Sequence, residues 1–132
     1  MAATAFEITG SMGNIVSDTE VVFPNVLSCV AVACRIGGGF VGAHITLADR
    51  PRLSEVLRTI TNRYGRVAEV YVIGPVLGAY NVNVFANLGC PIYIHDCAGG
   101  VDVRARMDGA ASFDTRIAGT GNWSPVEPTR YA

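Results

Sequence analysis

The sequence predicts an α+β fold: β-sandwich-like sheets built from hairpins, with two helices packed on a sheet. Three observations carry this expectation. Stretches rich in β-formers outnumber helical ones, adjacent strands are joined by tight glycine turns at Gly37-Gly38 and Asp108-Gly109, and helical periodicity falls in the middle of the chain. With 132 residues, half of them hydrophobic, the chain is long enough for one domain with a genuine core and too short for two ordinary ones.

The elements follow in order. Thr4 to Ile8 and Asn14 to Phe23 read as strands separated by Gly10 and Gly13. A hairpin over Gly37-Gly38 comes next. Asp49 is placed to cap a helix from about Pro51 to Tyr64, because Leu53, Val56, Leu57 and Ile60 form an i, i+3, i+4, i+7 stripe and Gly65 supplies a stop. Val67 to Ile73 reads as a strand, Asn81 to Leu88 as a shorter helix ended by Gly89, and Pro91 to Asp96 as a strand. The alternating run VDVRARM then returns through Asp108-Gly109 into AASFDTRI, the strongest short-range hairpin signal in the chain. Residues 1–118 are thus expected to form one domain. From Gly119 the tail GTGNWSPVEPTRYA lacks periodicity and is expected to be loosely attached or disordered.

The first hairpin carries the chemistry. A two-residue turn at Gly37-Gly38 pairs Ile36 with Gly39, Ala31 with His44 and Cys29 with Thr46. Cys29 and His44 become diagonal neighbours on one face, about 7 to 8 Å apart between the backbones of the two strands. One face of this hairpin is apolar throughout (Val30, Val32, Cys34, Ile36, Val41, Ala43, Ile45, Leu47) and is expected to face the core, with Cys34 a buried hydrophobe. On the other face the small residues Ala31, Ala33 and Gly42 leave room around the thiol and the imidazole, which suggests a site.

Composition narrows the alternatives. A formal net charge of -1 and a pI near 6.0 give no basic patch for nucleic acid or an anionic membrane. No apolar run approaches the roughly 20 residues that span a bilayer, and the start MAATAFEITG lacks signal-peptide character, so a cytoplasmic location is expected. The four cysteines, Cys29, Cys34, Cys90 and Cys97, have neither a disulfide-framework density nor paired zinc spacing. Cys90, His95, Asp96 and Cys97 form the one metal-like cluster, but alternation along a strand turns Cys90 away from His95 and Cys97, so no metal site is expected there. The glycine runs match no phosphate-loop pattern.

A free thiol is only a few per cent ionised at neutral pH, and a neighbouring imidazole that takes its proton makes it a nucleophile. His44 is placed to do so for Cys29, and the Cys29 amide is the natural first oxyanion donor. Asn25, Thr46, Thr19 or a backbone carbonyl could orient the imidazole.

The stretch VVFPNVLSCVAVACRIGGGFVGAHITL resembles the core motif of the bacterial chemotaxis glutamine deamidases, the CheD family, in which a GSCVAV element is followed by a GxxH or GxAH element. GAYN at Gly78 to Asn81 and GCPIYIHDCAGG at Gly89 to Gly100 are similar to later pieces of that pattern, so the resemblance covers most of residues 14 to 117. It implies a CheD-like fold, Cys29 as nucleophile, His44 as general base, and Ser28 as the residue preceding the nucleophile. Asn25 or a backbone carbonyl is expected to stand in for a family threonine that has no counterpart near Phe23 to Asn25, and Ser28, Ala31 and Thr46 are expected to line the site. IGPV at Ile73 to Val76 replaces the family's GGA segment. The arrangement is also similar to cytotoxic necrotizing factor catalytic domains, which share the fold and chemistry but act on small GTPases. Both resemblances imply a cysteine-dependent hydrolase that converts a protein glutamine to glutamate without a cofactor. The alternative is a non-enzymatic interaction module on the same fold.

Overall fold

The computed structural model of the chain describes residues 2–8, 12–79, 83, 86 and 89–131. In chain order the strands are β1 (Ala3–Thr4), β2 (Val16–Asp18), β3 (Glu20–Val26), β4 (Val30–Ile36) and β5 (Gly39–Ile45). After helix α1 (Leu53–Tyr64) come β6 (Glu69–Gly74), the short helix α2 (Val76–Ala79) and β7 (Ile92–Asp96), then β8 (Val101–Asp108), β9 (Ala110–Ile117), β10 (Ser124–Val126) and β11 (Thr129–Arg130). They form two sheets, β1-β3-β8-β9-β10 and β11-β7-β6-β4-β5-β2, so the α+β class holds, with one substantial helix. The second helix expected over 81–88 falls largely outside the described residues.

The β4–β5 hairpin has the expected register, from Ile36 opposite Gly39 to Ala31 opposite His44. Of the two turn glycines only Gly37, at φ 60°, is left-handed. The apolar face packs as anticipated: Val30, Val32, Cys34, Val41, Ala43 and Ile45 meet Leu53, Val56, Leu57 and Ile60 of α1 in one buried cluster. Each buried Val, Leu or Ile among them contributes roughly 1.5 to 3 kcal/mol by leaving water. Leu47, beyond the strand end, is exposed.

The opposite face corrects the expectation. Ala31, Ala33 and Phe40 lie in a second buried cluster with Val21, Phe23, Val103 and Phe113 of the facing sheet. The small residues therefore make room for a second sheet. A Cβ built on Gly42 would stand 2.6 Å from Val21 Cγ1 and 3.0 Å from Phe23 Cζ, so the glycine is required by close packing between the layers.

Three other boundaries move. The expected strand from Asn14 to Phe23 is two strands in different sheets, with Thr19 at the crossing. Asp49 does not cap α1: a 3₁₀ turn over Arg50–Arg52 precedes the helix, and Asp49 accepts the Arg52 amide through its own carbonyl at 2.8 Å. The tail expected to be loosely attached is paired instead, β10 with β9 and β11 with β7. The amino-terminal segment does the same at the other edge. β1 runs parallel to β3, and three residues later Glu7 bridges to His44 of the second sheet. Among the described residues no helix is long and apolar enough to cross a membrane.

Candidate active site at the edge of the sandwich

His44 stands near the end of β5, on the inner face, and is 1% exposed. The amino-terminal segment closes over it: the Ile8 amide donates to the His44 carbonyl at 3.2 Å, and the Ala5 carbonyl lies 3.2 Å from His44 Nδ1. A carbonyl can only accept, so Nδ1 carries the hydrogen and Nε2 keeps its lone pair. Nε2 is buried and has no hydrogen-bond partner among the described residues. Phe23 meets the ring edge-on at 6.5 Å between centroids. Burial pushes the His44 pKa down, against smaller opposing effects of the Ala5 carbonyl and Glu7. The shift favours the neutral imidazole, with a basic nitrogen unused.

Cys29 lies in the bend of residues 27–29 that joins β3 to β4, just before the hairpin strand in which the sequence places it, and is 5% exposed. The bend follows a left-handed residue, Asn25, and passes close to Gly74. Asn25 adopts a left-handed φ of 52° and its amide donates to Asp102 Oδ1 at 2.8 Å, while a Cβ on Gly74 would come within 2.8 Å of the Cys29 carbonyl oxygen. Asp102 also accepts from Arg116 Nε at 2.9 Å and the Gly119 amide at 3.1 Å.

The residue the sequence reading missed is Glu7. Cys29 Sγ donates to Glu7 Oε1 at 3.6 Å, and the sulfur, a His44 ring nitrogen and a Glu7 carboxylate oxygen all lie within 4.8 Å of one another. The thiol's hydrogen bond thus goes to the carboxylate. Burial, with Glu7's charge and hydrogen bond, pushes the Cys29 thiol up, while the Ser28 hydroxyl and the Leu27 amide act the other way. The sequence contained no local signal for Glu7, because its approach depends on the amino-terminal segment crossing between sheets.

The other site candidates separate by distance and commitment. Asn25 is exposed and lines, with Phe6, Glu7, Pro24 and His44, an open cleft of about 360 Å³. Thr46 is engaged elsewhere: its hydroxyl donates to Asp49 Oδ2 at 2.9 Å and accepts the Asp49 amide. Thr19 sits beside Asp18, which pairs with Phe40 near the far end of β5. The group that orients the imidazole is therefore a backbone carbonyl, that of Ala5. Ala31 is packed between the sheets opposite His44, and Ser28 is exposed next to the thiol. Cys34 is fully buried and its thiol is pushed up to about 12 by burial. Cys90 packs against the helix-side core and Cys97 against the sandwich core, so these two cysteines do not converge. No protein-family model matches the chain, and no curated protein matches it.

Proposed function

We propose that this chain is a cysteine-dependent hydrolase, a protein-glutamine deamidase in which Cys29 is the nucleophile and His44 the general base. The observation that carries the reading is the buried imidazole, tied through Nδ1 to the Ala5 carbonyl and without a partner at Nε2 among the described residues, with one of its ring nitrogens within 4.8 Å of the Cys29 sulfur. In the reaction, His44 takes the thiol proton and the sulfur attacks the carboxamide carbon of a substrate glutamine. The proton then passes to the departing nitrogen, ammonia leaves, and water hydrolyses the thioester with His44 again as base. Exposed Phe6 (60%) and Leu27 (56%), next in sequence to Glu7 and Ser28, provide apolar contacts for a protein substrate rather than a small amide.

The chemistry requires the thiol to exchange Glu7 for His44 when substrate enters. A second reading, a binding module without catalysis, is favoured by one observation: the thiol donates to Glu7 Oε1 at 3.6 Å, and burial together with Glu7 pushes its pKa up. Mass spectrometry of proteins co-expressed with the chain tests the first reading. Conversion of specific glutamines to glutamate, absent with Cys29→Ser, is the expected result. Identical glutamine content with wild-type and Cys29→Ser chains would leave the binding module.

A further inference from the structure

We infer that Glu7, Cys29 and His44 form a zinc site with an open fourth position, and that an ion there blocks the thiol. Inhibition rests on the deamidase reading; binding does not. Three donors from separate segments meet within 4.8 Å, and they are a carboxylate oxygen, a sulfur and an imidazole nitrogen. This set suits zinc, whereas magnesium and calcium take oxygen donors.

The imidazole already has the arrangement of a metal ligand. Ligating histidines commonly donate their other ring N–H to a carbonyl or carboxylate, which fixes the tautomer and aims the lone pair. His44 does this through Nδ1 and the Ala5 carbonyl, leaving buried Nε2 without a partner among the described residues. Zinc bonds of about 2.0 to 2.3 Å hold tetrahedral ligands about 3.3 to 3.8 Å apart; the sulfur and the Glu7 carboxylate, at 3.6 Å, already have that spacing, and with all three donors within 4.8 Å of one another the imidazole nitrogen needs to close by no more than about 1.5 Å. Exposed Glu7 and the cleft beside it supply the access route. On binding, the sulfur–zinc bond replaces the sulfur–hydrogen bond and the proton passes to solvent. No redox change occurs. The bound sulfur is then unavailable for attack on an amide.

The test is cobalt titration of the full chain after treatment with EDTA and desalting. One equivalent of Co²⁺ should produce thiolate-to-cobalt charge-transfer absorption and tetrahedral visible bands, both discharged by Zn²⁺. Cys29→Ser should abolish the charge-transfer band, and Cys97→Ser should keep it. Loss of an outer partner alone costs about 10- to 100-fold in metal affinity, so Glu7→Gln should weaken binding by at least about tenfold. Glu7 is exposed, which makes that variant informative even if replacing buried His44 impairs folding. Absence of the band, its survival in Cys29→Ser, or unchanged affinity in Glu7→Gln overturns the inference. In parallel, Zn²⁺ should stop deamidation of a confirmed substrate and EDTA should restore it. An inactive metal-free chain that still shows the cobalt band would overturn the deamidase reading and leave the metal site standing.

Discussion

At the residue scale, one thiol has two competing partners. Burial and, after it, Glu7 push the Cys29 thiol pKa up, whereas His44 offers a base, so Glu7 and His44 carry opposite expectations for mutation. Replacing Glu7 by Gln removes the charge that raises the thiol pKa. In metal-free buffer, labelling of Cys29 by iodoacetamide at neutral pH should then be faster than in the wild-type chain, read by intact-mass kinetics. An unchanged rate would mean that burial alone sets the reactivity. Cys29→Ser and His44→Ala should each abolish deamidation of a confirmed substrate while far-ultraviolet circular dichroism shows the fold kept. Because groups acting as one unit lose activity non-additively, the double variant should be no worse than either single one. Full activity in Cys29→Ser would redirect attention to Cys90 or Cys97.

At the element scale, the layers impose demands that no single strand reveals. Gly to Ala in a strand ordinarily relieves backbone entropy, but a methyl at Gly42 meets Val21 and Phe23. Gly42→Ala should therefore destabilise by about 1 to 3 kcal/mol in urea unfolding. Stabilisation would mean that the sheets part easily. The β3–β4 bend depends on Asp102 in a similar way. Burial alone would raise the Asp102 pKa, but the amides of Asn25 and Gly119, with Arg116, outweigh it and hold the carboxyl below its ordinary value. A carboxyl depressed on folding contributes stability that is present above its unfolded pKa of about 3.9 and lost as pH falls through the folded value. Asp102→Asn should thus lower the urea midpoint at pH 7 and flatten the loss of stability in acid; parallel pH profiles for the two proteins would count against this role.

For the whole molecule, both ends of the chain hold the sandwich together. β1 and Glu7 join the sheets at one edge, and β10 and β11 occupy the other edge of each. Ending the chain at Ala118 should lower the melting temperature measurably and expose the β7 and β9 edges to protease; an unchanged melt would restore the view of a loose tail. The local patterns were legible without coordinates. The Gly37-Gly38 turn set the register of the first hairpin, and the stripe Leu53, Val56, Leu57, Ile60 set the buried helix face, because turn geometry and periodicity act over a few residues; the second hairpin forms where Asp108-Gly109 places it, but with Asp108 itself paired to Ala110 across Gly109. Long-range meetings were not legible in this way. Sequence alone brought Cys29 and His44 to one hairpin end, but only the tertiary structure decided that Ala5 orients the imidazole, that Glu7 takes the thiol, and that Ala31 and Gly42 face another sheet. Those contacts join segments distant along the chain, and short-range periodicity carries no record of which segment crosses to which sheet.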